Sequence, residues 1–287
     1  MQMAGWPRIG QADRGRRKKE TGMTEEDGLL VAISDGVATL TLNRPKQKNA
    51  LNGSMRDGLC DAVQRIRADR SVRAVVLRGA GEDFCSGGDI RAMNVTEADA
   101  GRARMDDMHG WIAMLLDLDR PVVAAVDGVA YGAGFSIALL ADFIVASPRA
   151  RFCMPFMKVG LVPDCGALYT LPRVVGMAKA RELVFSAREI GAEEARQIGA
   201  VFEIVPEDKL HARADELARG LAGASPAAFA MAKRALNQSL GSDVRAMLEM
   251  ESLGQGIAFT TSYHREAVRR FKEKEPPLFR WPAAPRD

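Results

Sequence analysis

Two strand-length apolar runs that empty into glycine restrict this chain more than any other feature. The run 74-AVVLRGAG-81 leads into 83-DFCSGGDI-90, and 122-VVAAVDG-128 leads into 131-YGAG-134, which opens the apolar helical stretch 135-FSIALLA-141. Each run follows a segment with apolar residues at helical spacing: Met55, Leu59, Val63 and Ile66 over 53–69, then Met105, Met108, Ile112 and Leu115 over 101–118. Strands that alternate with helices require crossover connections, so the chain is expected to fold as an α/β protein. Paired glycines admit positive φ and leave the main chain uncovered, so a ligand can approach the backbone N–H groups themselves.

The remaining segments fill in that frame. The runs 29-LLVAIS-34 and 37-VATLTL-42 flank Asp35-Gly36, a two-residue turn signal, and read as a β-hairpin. With the first helix and 74-AVVLR-78 they make a ββαβ start. A short strand is expected over 142-DFIVAS-147, and from about residue 176 the chain reads as helices only, apart from 200-AVFEIV-205. No internal repeat and no Gly/Ser linker divides it. The expected organisation is a basic, disordered tail over 1–28, a core over 29–205 and a helical part over 206–287.

Composition excludes several classes. Of 287 residues 47% are hydrophobic and 27% charged, with a net charge of +3, which fits a globular protein whose main partner is neither nucleic acid nor a membrane surface. No apolar run approaches the roughly 18 residues of a membrane helix. Cys60, Cys85, Cys153 and Cys165 lack the spacing of a metal site or a disulfide framework, so no metal is expected and reduced thiols point to the cytoplasm. The first 28 residues lack the apolar core of a signal peptide, and Met23 is a second candidate start. The run 14-RGRRKK-19 is expected to be a solvated charge run.

The two glycine turns share one logic. Each follows a strand and offers N–H donors at a strand-to-helix junction, and two donors converging on one oxygen stabilise charge that develops on a carbonyl. Taken singly, Gly87-Gly88 reads as a tight turn and Gly132-Ala133-Gly134 as close helix packing. Neither segment fits the GxGxxG or Walker A patterns, which argues against a dinucleotide or nucleotide-phosphate site.

The segments 42-LNRPKQKNAL-51, 77-LRGAGEDFCSGGDI-90, 121-PVVAAVDGVAYGAGFSIALLAD-142, 158-KVGLVPDCGALYTLPRVVG-176 and 271-FKEKEPPLF-279 together resemble the enoyl-CoA hydratase/isomerase (crotonase) superfamily, in its order and over nearly the whole chain after residue 29. The resemblance implies a spiral of ββα turns, a homotrimer or dimer of trimers joined through the 206–287 region, and an acyl-CoA thioester as substrate. No separate cofactor is implied, since CoA arrives with the substrate. By position, the N–H groups of Gly88 and Ala133 match the family's oxyanion hole, with Ala133 at a helix start. Lys46 and Arg91 match basic positions near the CoA phosphates and nucleotide. Cys85 and Ser86 match the segment whose backbone meets the adenine, and Lys274 matches a C-terminal lysine that reaches a neighbouring active site.

At the acid/base positions the sequence departs from the hydratase pattern. Where family hydratases carry two glutamates, this chain has Ser136 and Phe156, and neither can act as a carboxylate base. Asp164, in 161-LVPDCG-166, matches the single acid of the enoyl-CoA isomerases, including the ring-epoxide isomerases of phenylacetate breakdown. Apolar Leu161, Val162 and Phe156 are expected to raise its pKa by desolvation, and the competing reading of Asp164 is an N-cap for the helix that follows. The expectation is therefore an enoyl-CoA isomerase working through an enolate, with hydratase or thioester hydrolase activity as the alternative. His109 and Phe156 are taken as substrate-contacting positions. The family's aryl-CoA dehalogenases place a histidine about where His109 stands, but Phe156 occupies the position of their tryptophan; apart from the family, His109 reads as a partly buried structural residue. A non-catalytic RNA- or CoA-binding homologue is the remaining class, motivated by the basic tail.

Overall fold

A computed structural model describes residues 28–92 and 96–283; of the tail expected over 1–28, all but Gly28 lies outside the described residues. The hairpin forms as expected. β1 (Leu29–Ser34) and β2 (Val37–Leu42) pair antiparallel with Ser34 opposite Val37, and Asp35 (φ 51°) and Gly36 (φ 75°) supply the two left-handed residues of a type I′ turn. Asn52 caps α1 (Gly53–Ala68) by accepting from the N–H of Met55, and the helix buries Met55, Leu59, Val63 and Ile66.

β3 (Ala74–Gly79), α2 (Ala98–Leu116) and β4 (Val122–Val126) follow, then the short β5 (Val129–Tyr131), α3 (Ala133–Ala138) and β6 (Phe143–Ala146). The chain continues through β7 (Arg151–Cys153), α4 (Ala167–Val175), α5 (Met177–Ser186), β8 (Glu189–Gly191), α6 (Ala192–Gln197) and β9 (Glu203–Ile204). It closes with α7 (Leu210–Ala222), α8 (Pro226–Ser239), α9 (Val244–Phe259) and α10 (Ser262–Lys272). One sheet runs β1-β2-β3-β4-β6-β9, parallel from β2 onward, and a smaller one runs β5-β7-β8.

The smaller sheet corrects the reading of the sequence in two places. Its strands are three residues each, too short to show a period, and β8 puts a strand into a region expected to be helical. The strand expected over 200–205 also shrinks to Glu203–Ile204.

Both faces of the large sheet are covered, which explains its unbroken apolar strands. Val75, Leu77, Val122, Ala124 and Val126 face the core that holds α1, α2 and α3. The alternate residues Ala74, Val76, Val123 and Ala125 face Ala214, Leu217, Ala218 and Leu221 of α7. A buried ion pair ties α8 to this body: Lys233 Nζ lies 2.8 Å from Asp142 Oδ2, which also accepts the N–H of Val122. Burial pushes the Asp142 carboxyl up, and Lys233 opposes that shift. Beyond α8 the chain packs loosely on itself: α9 and α10 bury no residue, while Leu248, Leu253, Ile257 and Phe259 are exposed. Among the described residues no helix is long and apolar enough to cross a membrane.

Candidate active site

Backbone hydrogen bonds stitch the two glycine turns side by side. Phe84 N–H donates to Asp127 O at 2.8 Å, Cys85 N–H to Val129 O at 2.9 Å, and Tyr131 N–H to Cys85 O at 2.9 Å. On its other side the segment is held by Leu51, whose N–H donates to Gly87 O at 2.8 Å and whose carbonyl accepts from Asp89 at 3.0 Å. That parallel bridge uses the groups of Gly87 and Asp89 and turns the N–H of Gly88 away from Leu51. Ala133 is the first residue of α3, where a helix has no internal partner for its N–H. Among the described residues, neither N–H donates to a protein acceptor.

Glycine is required here for closeness as well as for φ. Gly87 has φ 102°, and a Cβ on it would stand 2.8 Å from Tyr131 O and 3.7 Å from Ala133 N, which places the two turns against each other. A Cβ at Gly134 would meet Cys85 O at 2.2 Å. Close packing and donor exposure are thus one arrangement. We expect Gly134→Ala to destabilise the chain by about 2 kcal/mol or more, because backbone rather than a flexible side chain must move; an unchanged midpoint in urea denaturation would contradict this packing.

Around the first turn the structure gathers several of the expected residues. Lys46 lies exposed in the loop between β2 and α1, and the N–H of Ser86 donates to Lys48 O of that loop at 2.9 Å. Arg91 grips Asp89 with both edges of its fork, at 3.1 and 3.0 Å, while Arg44 reaches the same carboxylate at 3.0 Å. Those arginines, Arg91 foremost, hold the Asp89 carboxyl well below the usual range. Cys85 is fully buried, burial pushes its thiol up to about 12, and its N–H and C=O are used in the bridge to Ala130. Sequence reading passed over Arg44, Asn49 and Asp89, which hold this loop. Buried Asn49 donates to Ala80 O and Asp83 O at 2.9 and 2.6 Å and accepts from the N–H of Arg44. Their only signal was their place inside quoted motifs.

Asp164 lines a cleft of about 700 Å³ between α2 and the loop before α4. The residues Asp164, Cys165 (φ 51°), Gly166 (φ 81°) and Ala167 form a type I′ turn closed by Ala167 N–H to Asp164 O at 3.0 Å. The capping reading of Asp164 is corrected: the N-cap of α4 is Gly166 and no side chain caps it. Leu161, Val162, Pro163 and Met105 make the cleft apolar, and burial raises the Asp164 carboxyl above its ordinary value. The Cys165 thiol, Arg104 and His109 act in the opposite direction. Among the described residues, Asp164 Oδ1 is buried and has no hydrogen-bond partner. Burial pushes the neighbouring Cys165 thiol up as well.

The other expected positions separate. Phe156 is buried with its ring 3.6 Å from where a Gly132 Cβ would stand, so it backs the second glycine turn rather than lining the cleft. Ser136 is fully buried and donates its hydroxyl to Gly132 O at 3.0 Å. His109 is no partly buried structural residue: its side chain is 60% exposed, it lines the cleft, and its Nδ1 stands 3.8 Å from Asp106. An i,i+3 neighbour on an amphipathic helix left its face undecided in the sequence. Lys274 lies with Tyr263 and Phe271 at a different hollow of the chain.

The chain matches one described family and many known proteins. The family model described as Enoyl-CoA hydratase/isomerase matches residues 32–281. A protein named "Probable enoyl-CoA hydratase" from Rhodobacter capsulatus is 40% identical over 86% of this chain and 95% of the relative. A "1,2-epoxyphenylacetyl-CoA isomerase" from Escherichia coli is 35% identical over 88% and 97%. A crystal structure titled as enoyl-CoA hydratase/isomerase from Cupriavidus metallidurans superposes with a TM-score of 0.87 at 39% identity, covering 91% of this chain and 98% of that one. With matched motifs, matched length and a shared backbone, this chain belongs to the enoyl-CoA hydratase/isomerase family and has the crotonase fold.

Proposed function

We propose that this member of the family isomerises the double bond of an enoyl-CoA thioester through an enolate, with Asp164 as its single base. The observation that carries the reading is the buried, unpartnered Oδ1 of Asp164 at the apolar cleft. A buried acceptor without a donor costs free energy in the empty protein, and a substrate proton removes that cost. The thioester oxygen accepts from the N–H groups of Gly88 and Ala133. Asp164 takes a proton from C2 of a 3-enoyl thioester, the C3=C4 electrons delocalise into a dienolate whose charge rests on that oxygen, and Asp164 returns the proton to C4. The product is the 2-enoyl thioester, with no net change in protons. Lys46, Ser86 and Arg91 lie around the first turn, where the CoA phosphates and adenine are expected, and Phe156 shapes the wall behind the oxyanion.

Hydration draws support from the names of many relatives, but it needs groups that orient water and move its proton. Ser136 is committed to Gly132 O and Phe156 has no titratable group, so isomerisation fits these residues better. Turnover against a panel of 2-enoyl-, 3-enoyl- and aryl-CoA esters tests the proposal. Double-bond migration without hydroxyacyl-CoA is expected, and rapid hydration as the dominant reaction would overturn it.

We also propose that the chain works as a homotrimer or dimer of trimers in the cytoplasm. The apolar faces of α8 and α9, with Leu236, Leu240 and Leu253 each more than 60% exposed, support such an assembly. Light scattering should return three or six times the 31.1 kDa of one chain; a monomer at assay concentration would contradict it.

A further inference from the structure

The groups that face Asp164 differ in how strongly solvent weakens them. From α2 come Arg104, half-buried in the cleft wall, and His109, exposed beside Asp106. From α1, Arg56 acts on Arg104 and on Cys165, and Glu97, the N-cap of α2, lies exposed at the rim of the cleft. Cys165 is buried next to Asp164 in the chain, with its thiol held protonated. An exposed charge is screened by water and salt, whereas one in an apolar wall acts at lower effective dielectric. Of the described residues lining the cleft, Arg104 alone is a permanent cation. Arg104 and Asp164 each act electrostatically on the other.

Resting on the reading of Asp164 as the base, we propose that Arg104 is a positioning residue that keeps Asp164 ionised inside the apolar cleft and thereby sets the acid limit of the pH range in which the enzyme works. Four apolar side chains and an unpartnered Oδ1 leave that carboxylate poorly solvated, and a base that stayed protonated could not start the reaction. Arg104 lines the same cleft and supplies the compensating charge. His109, in contact with solvent and with Asp106, adds a smaller and salt-sensitive share.

The test combines pH–rate profiles with a titration that does not depend on turnover. In Arg104→Gln the acid limb of kcat/KM should move up by about one pH unit, so the rate on that limb falls about tenfold while the plateau at higher pH returns to the parent value. Arg104→Lys should restore most of the shift, and His109→Gln should move the limb by less than Arg104→Gln. Gln is a good helix former at this half-exposed position, and Arg104→Met repeats the measurement with a stem of similar reach. Carboxyl ¹³C NMR of aspartate-labelled protein, with the Asp164 signal assigned by its loss in Asp164→Asn, should show the same upward movement. An unmoved titration in both Arg104 variants would overturn the proposal, as would a raised KM with an unmoved limb, which would make Arg104 a substrate contact. An active Asp164→Asn enzyme would instead sink the assignment of the base, an outcome the carboxyl titration keeps distinct.

Discussion

Asp164→Asn should abolish most double-bond migration while leaving the fold intact, with kcat falling at least the roughly 10²–10⁴-fold that a positioned general base contributes. The substitution keeps size and shape, and Asp164 caps no helix, so the turn and the helix after it should persist. Stability should if anything increase at neutral pH. The folded carboxyl titrates above its ordinary value of 3.8 because burial disfavours its charge. In such a case the native state holds the proton more tightly than the unfolded chain. The favourable contribution is complete below pH 3.8 and is lost as pH rises through the folded pKa. Neutral Asn avoids that loss, so the variant's advantage in urea denaturation should shrink as pH falls towards 3.8 and be present at pH 7. A variant that melts far below the parent at pH 7 would show that Asp164 supports structure instead.

Ala133→Pro should lower kcat by roughly 10²–10³-fold, the loss associated with one oxyanion donor. Ala133 is the first residue of α3, where proline is tolerated because the N–H has no helical partner, and the preceding residue is Gly132, whose φ of 53° no side chain constrains. The ring removes the donor and puts its Cδ where the hydrogen pointed, so it also blocks the oxyanion position, while the proline-tolerant first turn of α3 should keep circular dichroism close to the parent. Near-normal turnover in a folded Ala133→Pro protein would contradict the donor pair of Gly88 and Ala133.

The sequence made the large sheet and its helices legible because β3 and β4 are buried on both faces and α1 and α2 carry a clear helical period. The small sheet was not legible, since a three-residue strand such as Arg151–Cys153 shows no period and owes its state to pairing with Val129–Tyr131 and Glu189–Gly191. At the candidate site the glycines could be read directly: only a residue without Cβ fits 2.2 Å from Cys85 O. The resemblance singled out Asp164, but whether it capped α4 or faced a cleft depended on the left-handed pair Cys165-Gly166, which a non-glycine at the first of those positions concealed. His109 and Arg104 were hidden for a related reason: helical spacing orders the faces of α2 but does not say what packs opposite each. Phe156 was expected beside Asp164 and instead backs Gly132, a displacement set by the turn of helix over Pro155–Val159.

The central claim is that one base, opposite two backbone donors, moves a proton along the acyl chain and adds no water. Its most direct test is to follow a 3-enoyl-CoA thioester by ¹H NMR in deuterated water with the parent enzyme. The account predicts appearance of the 2-enoyl thioester, with deuterium entering only at C2 and C4 and no 3-hydroxyacyl-CoA accumulating on the same timescale. Accumulation of the 3-hydroxyacyl thioester as the main product, or double-bond migration at the parent rate in Asp164→Asn under the same conditions, would contradict it.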